Sequence, residues 1–535
     1  MMTPGKLRGD IFGGISAGIV ALPLALAFGV SSGMGAISGL YGAIIVGFFA
    51  AVLGGTPTQI SGPTGPMTVV IAATASQFSQ SPSFVFTVIM FAGILQILFG
   101  AAGFGRYIKL VPQPVISGFM SGIGVTVIIL QIPALLGHPE PDGSVLVKLA
   151  VVPSMLMTFD WHALTLSMIT FMIVIMPNPI KTYVPPTLLA ITIGTLVGVF
   201  WLNDAPVIGA IPSGLPHPVV PHLSLNQIPT LLRLALMLAF LGSIDSLLTS
   251  LVADSKTRTQ HNPNKELIGQ GAGNLVAGIF GGLAGAGATM RTLVNIKAGG
   301  RSRVSGVIHS IILILIVFSF SDLAEKIPLS VLAGILLKVG LDIIDWKNLK
   351  RIARSPRPGV VIMLTTLLIT VFVDLLAAVA VGIVMASVLF VEKMAKAQTE
   401  SLKFIYGSSP ELDLDEEESK LLDQAEGRIM LFQIEGPLSF GSARDITRMM
   451  SNVPQKEVLV VNLSNVPFID SSAAATLEET TETLLENNDH IVFFGANPRV
   501  TEVLEKTDII KMIGQEKFKA DRKSALQVAR TLLKA

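Results

Sequence analysis

Few residues of this 535-residue chain can do chemistry, and they sit where water is scarce. Asp245 lies near the middle of LALMLAFLGSIDSLLTSLVAD, an apolar run long enough to cross a bilayer, which takes about 20 residues. An ionised carboxylate at that depth costs roughly 2.5–3.5 kcal/mol on insertion scales and is functional by default. Thr249 follows four residues later and so shares its helical face. Further on, GGLAGAGATMRTLVNIKAGG (281–300) breaks an apolar stretch and leaves Thr289, Arg291 and Thr292 at the break. The Asp245 carboxylate, the hydroxyls of Thr68, Thr249 and Thr289, and unwound backbone at Gly287 form an all-oxygen set suited to a hard monovalent cation. Segments 64–77 and 288–298 begin as half-helices, whose N-termini present free N–H groups and a positive dipole end to an anion. Such an anion would lie against Thr68, Ala288, Thr289 and Met290, with Arg291 as a fixed charge. The bland alternatives are a carboxylate paired only to hold helices together, threonine hydroxyls bonding back to helix carbonyls, and a snorkelling arginine. Lys338 is expected to pair with a neighbouring carboxylate or to snorkel.

Composition sets the medium. The chain is 51% hydrophobic with mean hydropathy +0.66, and only 14% of its residues are charged, against about 25% in soluble domains. No charged residue occurs between Asp10 and Arg106, so this is a polytopic membrane protein. A net charge of +1 gives no hint of nucleic acid, and the absence of Cys excludes thiolate metal sites. No G-x-x-x-x-G-K-[ST] loop, no H-E-x-x-H and no G-x-S-x-G is present, and the histidines are scattered. Nothing points to an enzyme, and no cofactor beyond a coupling ion is expected. The start MMTPGKLRGD lacks a cleavage site and reads as no removable leader.

The elements that must position those residues are apolar runs near 11–30, 35–54, 57–77, 83–103, 111–136, 162–177, 184–201, 231–253, 267–283, 288–298, 303–320, 327–344, 359–373 and 376–392. Two of the fourteen are irregular: 57–77 carries Pro63 and Pro66 among glycines, and 288–298 is too short to span. Irregular backbone at membrane depth is tolerated only where it lines a cavity or is buried in protein. Lys and Arg concentrate in alternate loops, from Lys6 and Arg8 through Arg106, Lys181, Lys256 and Arg301 to Lys347–Arg357. With that side cytoplasmic, both termini are inside.

LVPQPVISGFMSGIGV (110–125) resembles KIPLSVLAGILLKVGL (326–341), and each broken segment follows a Gly-Gly pair, at 54–55 and 281–282. Seven crossings per half is odd, so the second repeat is inverted and the broken segments meet near the midplane. The transport domain is expected over 1–394, with repeats at 8–203 and 228–393, then a polar linker at 395–427 and a cytoplasmic α/β domain at 428–535. In that last domain RIMLFQIEGPLSF reads as a strand pair and SARDITRMM as a helix. KEVLVVNLSNV and HIVFFGANP read as strands, SSAAATLEETTETLLENN as a serine-capped helix, and VTEVLEKTDII and 519–533 as two more helices.

The stretches IVALPLALAFG (19–29), SGPTGPMTVV (61–70), VPQPVISGF (111–119) and GAGATMRTLVN (285–295), with FIDSSAAATL (468–477), resemble the SulP anion-transporter family and its C-terminal STAS domain. The likeness covers nearly the whole chain. It implies fourteen spans in two inverted seven-span repeats, a core domain of spans one to four and eight to eleven moving against a gate domain, and homodimers. LGSIDSLLTSLVADS, HNPNKELIGQGAGN and GAGATMRTLVNI are most similar to the cyanobacterial BicA-type bicarbonate transporters. That likeness implies a sodium site on Thr68, Asp245, Thr249, Gly287 and Thr289, and sodium-dependent bicarbonate symport across the cytoplasmic membrane. Many relatives carry glutamate at the Asp245 position, associated with protons; aspartate leaves room for a metal ion. The alternatives are a proton-coupled or exchanging carrier of sulfate or dicarboxylate, and an anion channel of the same fold. In STAS relatives that antagonise anti-sigma factors the position of Ser472 is phosphorylated, but Ala473 replaces their glycine and a plain helix cap is favoured.

Overall fold

The structure, a computed structural model, describes all residues except 1–3, 80, 140, 142–144, 177–184, 203, 210–217, 222–224, 374, 401–402, 407–413, 440–449, 451–456 and 534–535. It separates into two compact units, Met1–Val384 and Met385–Ala535. The helices of the first are α1 (Pro4–Ser31), α2 (Ala36–Leu53), α3 (Gly65–Gln77), α4 (Pro82–Ala101), α5 (Gln113–Leu135), α6 (Val145–Met157), α7 (Trp161–Ile175) and α8 (Pro186–Phe200). They continue with α9 (Ile228–Thr257), α10 (Pro263–Ile279), α11 (Thr289–Lys297), α12 (Arg303–Ala324), α13 (Leu329–Ile343), α14 (Trp346–Lys350), α15 (Arg357–Phe372) and α16 (Leu375–Glu400), which runs on into the second unit.

Each apolar run of the sequence contains one of these helices; α6 and α14 are additional. Helix starts are set by proline, which fills the first turn of α3, α4, α5, α8, α9, α10 and α15 at the cost of no hydrogen bond. Among the described residues, six helices (α1, α2, α4, α5, α9 and α16) are both long and apolar enough to cross a bilayer. The pair α6–α7, bent by 113°, would make a seventh. Helices α8, α12 and α15 are shorter apolar helices. Phe200, Trp201, Phe318 and Val384 are exposed, as expected of side chains that face lipid.

The packing repeats itself with the halves exchanged. With α9, α10, α11, α12, α13 and α15 taken as the counterparts of α1, α2, α3, α4, α5 and α7, the contact of α4 with α10 maps onto that of α12 with α2. Likewise α1–α12 maps onto α9–α4, α1–α11 onto α9–α3, and α5–α15 onto α13–α7, while α2–α10 and α5–α13 map onto themselves. Helices α1–α4 and α9–α12 thus form one packed group, the core, and α5, α7, α8, α13 and α15 another, the gate. Small residues let core helices approach closely: a Cβ on Gly93 would lie 2.3 Å from the Leu275 nitrogen, and one on Gly271 2.6 Å from the Gly93 carbonyl oxygen.

Strands β1 (Ser61–Gly62) and β2 (Ala286–Gly287) precede α3 and α11 and pair antiparallel, Ser61 with Gly287 and Gly62 with Ala286. Antiparallel pairing is what two segments related by inversion must adopt when they meet.

In the second unit β3 (Lys403–Tyr406), β4 (Ile429–Glu435), β5 (Val458–Asn465), β6 (His490–Phe494) and β7 (Phe518–Lys519) form one sheet in chain order. Only the β3–β4 pairing is antiparallel. Helices Ser471–Glu486, Pro498–Lys506 and Arg522–Leu532 fall between and after the strands. RIMLFQIEGPLSF is not a strand pair: it supplies β4, and Leu438 makes an isolated bridge to Ile469. The linker is not plain polar chain either. KFIY is an edge strand, and the acidic run Asp415–Glu418 opens the helix Glu416–Asp423 through a capping box between Asp415 and Glu418. Arg522 clamps Glu418 at 2.7 Å. The helix expected over SARDITRMM falls almost wholly outside the described residues. The cap of helix Ser471–Glu486 is Asp470, whose carboxylate accepts the Ala473 N–H at 2.8 Å; Ser472 is exposed in its first turn.

Candidate ion and anion site

Asp245, Ser246, Thr249 and Ser250 form one polar face of α9, and all are buried against the break between β2 and α11. The Thr249 hydroxyl donates to the Gly287 carbonyl at 2.9 Å and lies 2.7 Å from the Thr289 hydroxyl. Ser246 accepts the Gly287 N–H at 3.0 Å. One turn of α9 therefore holds both backbone groups of Gly287, which is why the chain there can be extended without stranding them. Across the break, Ala288 donates to the Ile60 carbonyl at 2.8 Å and Ile60 to the Thr292 hydroxyl at 3.0 Å. Asn274 acts as a surrogate strand for Gly285, accepting its N–H at 2.7 Å and donating to its carbonyl at 2.9 Å.

Arg291 is 2% exposed and donates to the Pro63 carbonyl at 2.5 Å. Its room comes from Gly62, at φ 147, where a Cβ would stand 2.8 Å from Nη1. Arg291 and Thr64 are the groups that bear on the Asp245 carboxylate. Thr64 lies beside that carboxylate without hydrogen-bond geometry. Four buried atoms thus converge without a partner: Asp245 Oδ2, Thr64 Oγ1, and Nε and Nη1 of Arg291. Acceptors and donors left open side by side suit a cation and an anion bound together. No group of three His, Cys, Asp or Glu able to hold a metal occurs among the described residues.

The structure brings together Asp245, Thr249, Gly287, Thr289 and Arg291, all at the α9–β2–α11 junction. Thr68 is buried in the first turn of α3, and its hydroxyl bonds back to the Thr64 carbonyl at 2.8 Å, leaving its lone pairs available. Ala288 caps α11 and is half-buried. Met290 points away, 59% exposed. Lys338 pairs with Asp342 four residues on, as expected of a lysine in a span.

Sequence reasoning missed Glu266, in the first turn of α10 and 1% exposed. Its carboxylate accepts the N–H groups of Gly55 and Thr56 at 2.9 and 2.8 Å, and amides of Gln59 and Gln270 at 2.8 and 2.9 Å. Gln270 continues to Ser61 at 2.6 Å, and Gln59 packs against Gly287, where a Cβ would stand 2.3 Å from its nitrogen. Glu266 thus holds the extended segment before α3 against β2. The available signal was the E-x-x-x-Q spacing, which places both side chains on one helical face.

The sulfate permease family model matches residues 7–366, and the STAS domain model 421–525. The chain is 43% identical to the bicarbonate transporter BicA of Picosynechococcus sp., over 98% of this chain and 95% of that one. It is 31% identical to the putative sulfate transporter YvdB of Bacillus subtilis, over 96% of each. Among solved structures, the transmembrane domain of a cyanobacterial BicA matches 70% of this chain and 98% of its own at 46% identity, with a TM-score of 0.66. Murine Solute Carrier 26 family member A9, an anion transporter in the inward-facing state, matches 99% of this chain and 92% of its own at 17% identity, with a TM-score of 0.85, and shares the fold. By sequence and by fold the chain belongs to the sulfate permease family, membrane transporters of anions that end in a STAS domain.

Proposed function

We propose that the protein is a sodium-dependent bicarbonate symporter of the cytoplasmic membrane, with both termini in the cytoplasm and a homodimeric assembly to which the STAS domain contributes. The observation that carries the reading is the convergence of unpartnered Asp245 Oδ2, Thr64 Oγ1 and Arg291 nitrogens at the ends of two half-helices. Sodium would take the Asp245 carboxylate with oxygens of Thr249, Thr289, Thr68 and the Gly287 carbonyl. Bicarbonate would take the Arg291 guanidinium and the N-terminal N–H groups of α3 and α11, against Thr68, Ala288 and Thr289. Each ion offsets part of the other's desolvation, so either alone binds poorly and the two are coupled. The similarity to BicA at 43% identity favours bicarbonate over sulfate as the anion.

Purified protein in liposomes separates the readings. Labelled bicarbonate is expected to accumulate only with an inward sodium gradient and to saturate. Uptake of sulfate or fumarate instead moves the substrate. Dependence on a proton gradient, or on an exchanging anion, replaces the coupling ion. Flux that does not saturate makes the protein a channel.

A further inference from the structure

A cavity with apolar and polar walls lies at the end of α1 remote from the N-terminus. It has a volume of about 220 Å³, and its lining includes Ser31 at the end of α1, Ser32 just after it, Ser76 of α3, Ser79 beyond α3, and Lys148 of α6. That volume admits a small oxyanion with several waters, since one water occupies about 30 Å³ of liquid. Ser79 is exposed, so solvent reaches the cavity. Among the described lining residues Lys148 is the only cation, and its 6% exposure is unusual for a lysine on a helix as apolar as VLVKLAVVPSMLM.

The cavity is aligned with the seat. Ala72, Ala75 and Ser76 line it, and they fall four, seven and eight residues after Thr68, on the same face of α3. At about 1.5 Å per residue this puts the cavity some 6–12 Å along α3 from Thr68. At the cavity wall, Gln131 of α5 donates to the Ser31 hydroxyl at 3.0 Å, tying gate to core.

We infer that this cavity is a waiting site for a small oxyanion on the transport path, with Lys148 as its charge and the Ser31–Gln131 bond at its wall. Lys148 and Ser76 each hold an interaction of their own. This rests on the transport reading above and adds to it a station that Asp245 and Arg291 do not touch.

Two measurements test it. In liposomes, Lys148→Gln is expected to raise the half-saturation for bicarbonate by roughly three- to tenfold, because an entry charge acts on capture, and impermeant salt should narrow the gap. Lys148→Arg should restore the wild-type value, and the sodium half-saturation should stay unchanged in both. Equal half-saturation in all three proteins, or a fall in maximal rate alone, overturns the inference. The second measurement needs no transport: Lys148 is acetylated with a membrane-impermeant reagent and quantified by peptide mass spectrometry in bicarbonate, sulfate or gluconate. Protection by bicarbonate or sulfate supports the site even if wild-type protein carries no bicarbonate, a result that would instead overturn the transport reading. No protection by either anion, or no labelling in any condition, overturns the site.

Discussion

Asp245 and Glu266 are both carboxylates buried in the core helices, and they differ in one respect. Glu266 meets four N–H donors, two from backbone and two from side-chain amides. Asp245 has an oxygen with no partner and a second orphan, Thr64 Oγ1, beside it. A buried carboxylate whose hydrogen bonds are all made fixes geometry, whereas one left open reserves its field for something that comes and goes. The pair separates the part of the core that holds shape from the part that binds.

The comparison breaks most directly at Asp245. Asp245→Asn keeps the shape but removes the charge, so sodium half-saturation should rise about a hundredfold, equivalent to roughly 3 kcal/mol. Uptake against sodium concentration reads this out; an unchanged half-saturation would make Asp245 a structural residue like Glu266. Glu266→Gln should act in the opposite pattern. One oxygen now faces four donors, leaving buried N–H groups unmet at about 1–3 kcal/mol. Detergent-solubilised protein should lose thermal stability and maximal rate, while sodium half-saturation moves far less than in Asp245→Asn. A larger sodium shift than stability loss would assign Glu266 to the binding group.

Thr289→Ala removes one neutral oxygen and should weaken sodium about three- to tenfold, the scale of a single uncharged hydrogen-bonding group. Since Thr249 also donates to Gly287, its own position should survive the change. Met290→Ala should leave both half-saturations within about twofold, as surface changes usually do. An effect as large as that of Thr289→Ala would place Met290 against the anion after all.

The binding residues were legible where they broke a local rule. A carboxylate in an apolar run, and glycine and proline interrupting helices, are visible in one dimension, and they led to Asp245, Thr249, Gly287, Thr289 and Arg291. Thr64 and Ser246 were not legible, because hydroxyls are common in such helices and only the approach of β2 distinguishes these two. Glu266 sits next to Lys265 at the edge of an apolar run, where a charge looks solvated until α2 and its following loop close over it. The same blindness acted in reverse on the linker, whose acidic run became a capped helix tied to Arg522. Helix α6 was overlooked because its apolar run is 13 residues long and contains Lys148 and Pro153. Asp470, one residue before the serine pair, caps Ser471–Glu486 in place of the expected serine.

The two-residue ladder between β1 and β2 also sets a timetable for biosynthesis. Ser61 and Gly287 are partners, yet more than two hundred residues separate them along the chain. Glu266 likewise reaches Gly55 across 211 positions. At a synthesis rate of about 5–20 residues per second, the first strand waits roughly ten seconds or more for its partner to leave the ribosome. Through that interval Ser61 and Gly62 lack the neighbour that satisfies their backbone, and α3 has nothing to abut. The first half of the chain can therefore enter the bilayer early, but it can bind nothing until α10 and α11 arrive. A nascent chain arrested before residue 266 should expose the 55–62 segment to protease, and one released after residue 297 should protect it.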